Sequence, residues 1–158
     1  MKIALVCVGR PHVTLGSAIA EYERRMSRYF RFEAMEVKET PYRGQPIPQL
    51  LDDEGERLLA RVPKHNHLVA LHRTGESWNS EALARFLADG GLVVAGGVTF
   101  VIGGAYGLSS GLLQRADLRL SLSGMTLPHE LARLVLAEQL YRAGTIIRGE
   151  PYHKPAVS

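Results

Sequence analysis

One cysteine, Cys7, stands alone in 158 residues. It can close no internal disulfide, and without a second cysteine there is no CxxC metal or redox pair. Long apolar runs are missing as well. Nothing approaches the ~20 consecutive apolar residues of a membrane helix, and the opening MKIALVCVGRP has no apolar h-region followed by a small-residue cleavage site. A cytoplasmic protein with no membrane attachment is expected. Metal ligands are sparse: His65 and His67 form an HxH pair near His72, but no cysteine or carboxylate completes a set, so no metal is expected. There is no G-x-S-x-G nucleophile elbow, and no local signature marks a Ser–His–Asp or Cys–His site.

Charge of one sign is in small excess, 19 Lys and Arg against 16 Asp and Glu, for a net +3. Its distribution says more, because a polyanion is held by clustered cations whose field adds over a surface. Arg10, Arg24, Arg25, Arg28 and Arg31 face only Glu21 and Glu23 in the same stretch, and Arg142, Arg148 and Lys154 face Glu150 near the end. Acids outnumber bases between Glu33 and Arg61. A basic N-terminal helix and tail are therefore candidates for meeting a polyanion; a solvated helix face explains the same arginines equally well.

The length suits one domain, residues 1–158, around one packed core. Residues 3–9 (IALVCVG) are apolar throughout and read as a buried strand. Over 17–30, Ala18, Tyr22, Arg25 and Tyr29 recur at helical spacing with Ile19, Met26 and Phe30 beside them. Residues 32–37 alternate as a half-exposed strand, and the proline-rich TPYRGQPIP is a loop. A helix is expected over 50–62, a strand over 67–72, and a helix over 81–88 capped by Asn79 or Ser80 and closed by Gly90-Gly91. A strand over 98–102, a short helix from Ser109, a strand over 118–122 and a long helix over 128–147 complete the chain. Strands alternating with helices, several of them wholly apolar, predict a three-layer α/β domain on a mainly parallel sheet.

In such sheets ligands bind beyond the carboxyl ends of the strands. The loop GGAYGLSSG, residues 103–111, lets backbone approach a ligand closely. It is not the dinucleotide fingerprint, since its glycines are wrongly spaced, and no Walker lysine follows it. A purely structural turn remains open. SGMTLPH, residues 123–129, is a small, hydroxylated loop able to hold an adenine by its backbone, with Pro128 suited to the first helical turn. His129 and Arg133 share one face of the following helix, and Glu138 and Arg142 another; the second pair also fits an ordinary surface ion pair. The tail RGEPYHKP gathers a base, an aromatic and a histidine, where a frayed terminus is the plain alternative.

Three segments together, VIGGAYGL, LSLSGMTLPHELARLVLAEQLYRA and IIRGEPYHK, resemble the RlmH family of SPOUT methyltransferases. MKIALVCVG, AEYERRM and DEGERLLA extend that resemblance over essentially the whole chain. It implies methylation of N3 of a pseudouridine in large-subunit ribosomal RNA, a C-terminal trefoil knot, and a homodimer whose active sites form between subunits; the small size of the chain leads to the expectation of a preassembled RNA shape, the assembled ribosome, as substrate, with naked ribosomal RNA the alternative. The implied cofactor is S-adenosyl-L-methionine, carried onto Leu71, Gly103, Leu122, Ser123, Gly124, Met125, Thr126 and Leu127. The implied substrate side is Arg142, Tyr152 and His153, with His129 nearby. The family often has an acidic residue where this chain has His72, and a variable pair at Ala105-Tyr106. Direct displacement fits these groups: His153 as general base, Arg142 stabilising the developing anion, Tyr152 stacking on the base. Two other readings stand beside it, a dimeric RNA-binding module without chemistry and a mononucleotide hydrolase, the latter lacking acidic metal ligands.

Overall fold

A computed structural model describes residues 1–155; the last three residues of the expected 1–158 domain lie outside the described part. Strand and helix alternate as β1 (Lys2–Val8), α1 (Val13–Met26), β2 (Arg31–Val37), α2 (Ile47–Leu59), β3 (His67–Ser77), α3 (Ser80–Leu87), α4 (Gly90–Val94), β4 (Val98–Ile102), α5 (Ser110–Arg115), β5 (Leu118–Ser121) and α6 (His129–Ile147). The strands form one sheet in the order β2-β1-β4-β3-β5, every pairing parallel.

The apolar run of β1 follows from its central place. Successive side chains of a strand point to opposite faces. Ile3, Leu5 and Cys7 enter one cluster with Met26 of α1, Leu83 of α3 and Leu136 of α6. Val6 and Val8 enter the other, with Leu58 of α2 and Leu112 of α5. Helices thus cover both faces, giving the expected three layers, and each fully buried leucine contributes about 2 kcal/mol in apolar area removed from water.

Several boundaries differ from expectation. Helix α1 begins four residues earlier than its apolar spacing indicates, because the chain enters it directly from extended His12 with no side-chain cap. It ends at Met26; the carbonyl there accepts from the N–H groups of Tyr29 and Phe30, so a turn prolongs the helical spacing and keeps Phe30 buried. Likewise α2 starts at Ile47 with Pro48 in its first turn, where the missing N–H leaves no bond unmade. Gly90-Gly91 opens the short α4, because Asp89 Oδ1 accepts from Gly91 N at 2.8 Å. Strand β3 runs on to Ser77 through polar residues, and its register with β5 shifts between Leu71 and Glu76. Asn79 caps α3 through Ala82 N, and Ser109 caps α5 through Leu112 N.

Candidate functional site

Beyond the carboxyl ends of β3, β4 and β5 lies an open cleft of about 390 Å3. β3 supplies Leu71, His72 and Arg73, and the loop after β4 supplies Gly103 to Leu108. The loop after β5 supplies Leu122, Ser123, Met125, Thr126 and Leu127, and the start of α6 adds His129 and Ala132. Of the residues expected to meet a cofactor, only Gly124 does not line the cleft, although it belongs to the same loop. The glycine turn is tight for a reason: a Cβ on Gly103 would lie 2.3 Å from the Gly107 carbonyl oxygen, and Gly107 itself has φ +88. In the facing loop, Met125 N–H donates to Ser123 Oγ at 3.0 Å, and Ser121 Oγ lies within bonding distance of the Arg73 and Ser123 carbonyls.

Among the described residues no carboxylate lines this cleft. Burial, then the charges of Arg119 and Arg73, hold the His72 pKa below its usual value, and its Nδ1 accepts from Thr74 N–H. The ring is therefore neutral near pH 7, with its proton on Nε2. Under the glycine turn, Glu54 is 3% exposed. Its Oε2 accepts from Thr40 N–H at 2.9 Å, while Oε1 is buried without a partner, 3.4 Å from where a Cβ on Gly104 would stand. Burial raises this carboxyl above its usual pKa.

Arg142, Tyr152 and His153 form a second cluster that shares no residue with the cleft. Arg142 Nη2 donates to Glu138 Oε1 at 2.6 Å and Nη1 donates to His153 Nδ1 at 3.1 Å, with the guanidinium 4.9 Å from the Tyr152 ring centroid. Tyr152 OH donates to Glu138 Oε1 at 3.0 Å, and His153 Nε2 lies 2.9 Å from Glu81 Oε1. Because a guanidinium can only donate, His153 Nδ1 is the acceptor and Nε2–H the donor to Glu81. Burial, then Glu138, pushes the Tyr152 hydroxyl up to about 12, so it donates and does not serve as a base. The expected Glu138–Arg142 pair thus exists, but as the centre of a network. His129 lines the cleft, and the helical rise from it to Arg142 is about 20 Å, so a single chain does not bring the four expected substrate-side residues together.

Near the cleft, Arg133 is 6% exposed and bridges Glu23 on α1 at 2.7 Å and Glu36 on β2 at 2.9 Å. Burial disfavours its charge, yet the two carboxylates outweigh burial and raise its pKa, fixing α6 against its neighbours in the charged form. Cys7 beside it is pushed up to about 11, chiefly by burial, and stays an unreactive core thiol. The sequence reading missed Glu81, Glu54 and the partners of Arg133. Glu81 is 72 positions from His153, and no local pattern joins them. Among the described residues no group of three or more His, Cys, Asp and Glu is arranged to hold a metal.

A family profile described as a predicted SPOUT methyltransferase matches residues 1–153. The chain is 49% identical over 155 residues to a ribosomal RNA large subunit methyltransferase H of Gemmatimonas aurantiaca, covering 98% of this chain and 100% of that one. It is 44% identical to the protein of the same name from Syntrophotalea carbinolica, covering 97% and 99%. Among solved structures, a probable methyltransferase from Bordetella pertussis superposes with a TM-score of 0.54 at 18% identity, covering 90% of this chain and 95% of that one. A tRNA methyltransferase from Aquifex aeolicus gives 0.56 at 13% identity, covering 99% and 77%. These two structures show a shared fold.

Proposed function

The chain belongs to the SPOUT methyltransferase family, and from that premise we propose that it is an enzyme that methylates N3 of a pseudouridine in large-subunit ribosomal RNA. The observation that carries this reading is the cleft: three strand-end loops converge on one opening of a size usual for cofactor sites, ~300–1,000 Å3. Its walls fit S-adenosylmethionine. Leu71, Leu122, Leu127 and Ile102 offer apolar surface to an adenine, the tight glycine turn presents backbone rather than side chains to the cleft, and neutral His72 adds no cation to that of Arg73. Bound there, S-adenosylmethionine supplies an electrophilic methyl group.

The remaining chemistry falls to the second cluster. N3 of pseudouridine carries a proton that must leave before or during attack. His153 has no free lone pair while Arg142 donates to its Nδ1. When Arg142 turns Nη1 toward a carbonyl oxygen beside N3, it stabilises the developing anion and releases Nδ1 of His153 to take the proton. Glu81, held below the usual carboxylate range by its hydrogen bond from His153, stays ionised and steadies the imidazolium. Glu138 holds the other end of Arg142 and the Tyr152 hydroxyl, leaving the Tyr152 ring available to stack on the base.

Since the cleft and this cluster share no residue in one chain, the reading includes a homodimer in which each site takes its cleft from one subunit and its tail from the other. The C-terminal trefoil knot and a cytoplasmic location belong to the same reading; no helix among the described residues is long and apolar enough to cross a membrane. Incubation with methyl-labelled S-adenosylmethionine and ribosomes lacking the modification should label one pseudouridine at N3. No labelling of ribosomes or naked ribosomal RNA overturns the reading. Mixing inactive Gly103→Val with inactive Arg142→Ala chains should restore about a quarter of wild-type activity through mixed dimers; no recovery after confirmed subunit exchange overturns the shared site.

A further inference from the structure

The arginines that the sequence gathers around α1 are not equivalent in the fold. Arg24 and Arg25 both bond Glu21, at 2.7 and 2.9 Å, and these two hydrogen bonds hold the Glu21 carboxyl down to about 2. Their charge is half-answered within the helix. Arg28 and Arg31 lie in the turn after α1 and at the first residue of β2; both are exposed, and among the described residues neither is in an ion pair. They flank a shallow depression whose wall also includes Ser27, Tyr29 and Phe32.

A third cation with no ion pair among the described residues leans over this spot from the end of α6. The Arg148 guanidinium stands 4.7 Å from the Tyr29 ring centroid, and its Nη2 donates to the Arg28 carbonyl at 3.4 Å. Its position is fixed by close packing, since a Cβ on Gly144 would meet the Tyr29 ring at 2.5 Å. The carboxylates nearest in the chain make no direct ion pair with these charges among the described residues. Glu150 accepts from the Tyr29 hydroxyl at 2.5 Å and keeps its charge, but it makes no ion pair with these arginines among the described residues, and neither does Glu33 of β2. Exposed guanidiniums around one depression suit phosphate oxygens, which they bind with parallel donors.

The location gives this patch a purpose. Tyr29 packs on Tyr141 with ring centroids 6.0 Å apart, and Tyr141 on Tyr152 at 4.6 Å, so two ring contacts connect the free arginines to the substrate-side cluster. The cleft of the same chain lies at the opposite ends of the strands, about 20 Å away by strand length. We propose that Arg28, Arg31 and Arg148 form a docking site for backbone phosphates of the ribosomal RNA beside the target nucleotide, on the subunit that contributes Arg142 and Tyr152. The proposal rests on the ribosomal RNA reading above. It gives a small enzyme a sequence-independent grip on a preassembled RNA shape.

The test compares wild type, R28Q/R31Q, R148Q and R24Q, each checked for an unaltered thermal midpoint. Co-sedimentation with ribosomes lacking the modification is measured across salt concentrations, alongside methyl-transfer KM and kcat. For R28Q/R31Q, the ribosome Kd and KM should rise about tenfold, and the slope of log affinity against log salt should fall by roughly 1.5, as expected for two lost phosphate contacts. R148Q should move the slope in the same direction by roughly half that, and R24Q by less than R148Q. Unchanged affinity and slope in R28Q/R31Q, or an R24Q effect as large, overturns the docking site. Wild type that binds ribosomes with the expected salt dependence but transfers no methyl group overturns the functional reading and leaves the docking site standing.

Discussion

Around the cleft the chain offers backbone, glycine and apolar side chains; around Arg142 it offers charged and polar side chains that satisfy one another. The cleft is already shaped, with the Gly103–Gly107 turn closed by sterics and His72 neutral. The cluster is held shut by its own hydrogen bonds, and in the proposed mechanism His153 becomes a base only when Arg142 moves. Under the proposed function one region would bind by being rigid and the other react by exchanging partners, so that two copies of the proposed homodimer divide the labour without either half reacting alone.

The sharpest way to break this comparison is Arg142→Ala. Methyl transfer should fall about 100- to 1,000-fold, the usual cost of losing a donor aimed at developing charge, while S-adenosylmethionine affinity measured by calorimetry should stay within about twofold. A matching loss of cofactor affinity would mean that the two regions are not separate. Next comes Arg133→Met, which strips the partner from Glu23 and Glu36. Both carboxylates keep some access to water, so the loss should sit near the lower end of the range for a broken buried pair, about 3 kcal/mol in denaturant unfolding. Stability should fall as a whole, whereas Arg142→Ala should leave it nearly intact. Tyr152→Phe removes only the hydrogen bond to Glu138 and keeps the ring. A reduction in kcat of about fivefold, the worth of one ordinary hydrogen bond, with little change in ribosome KM, would separate the hydroxyl from the stacking face.

The same contrast decides what could be read from the chain. Strands β1 and β4 announce themselves by unbroken apolar runs, Asn79 and Ser109 are recognisable caps, and the rule that ligands sit beyond strand ends leads straight to the three loops of the cleft. Backbone-built features depend on residues close in sequence, and local patterns report them. The cluster depends on contacts such as Glu81 with His153, and Arg133 depends on Glu23 and Glu36, 110 and 97 positions away. Nothing in the composition near either end signals such partners. The second half of β3 escaped for another reason: Arg73, Thr74, Glu76 and Ser77 are polar because the strand is exposed there, so hydrophobic periodicity has nothing to register.

The smallest effect, and the finest probe of the cleft, belongs to Glu54. Its folded pKa is raised by burial, so the native state holds its proton more tightly than the unfolded chain does. The stability this group contributes is fully present below its unfolded value near 4.5 and is lost as pH rises through the folded pKa. Glu54→Gln abolishes that titration. Denaturant midpoints of wild type and variant should therefore run parallel below pH 4.5 and diverge above it, the variant gaining on wild type until the difference levels off above the folded pKa. Amide exchange at Gly104, which rests over the carboxylate, should follow the same pH course, while amides near Tyr152 should not. A wild-type curve that instead gains on the variant as pH rises would mean that the ionised Glu54 is the form the fold prefers, and that the space beneath the glycine turn contains a partner for its second oxygen.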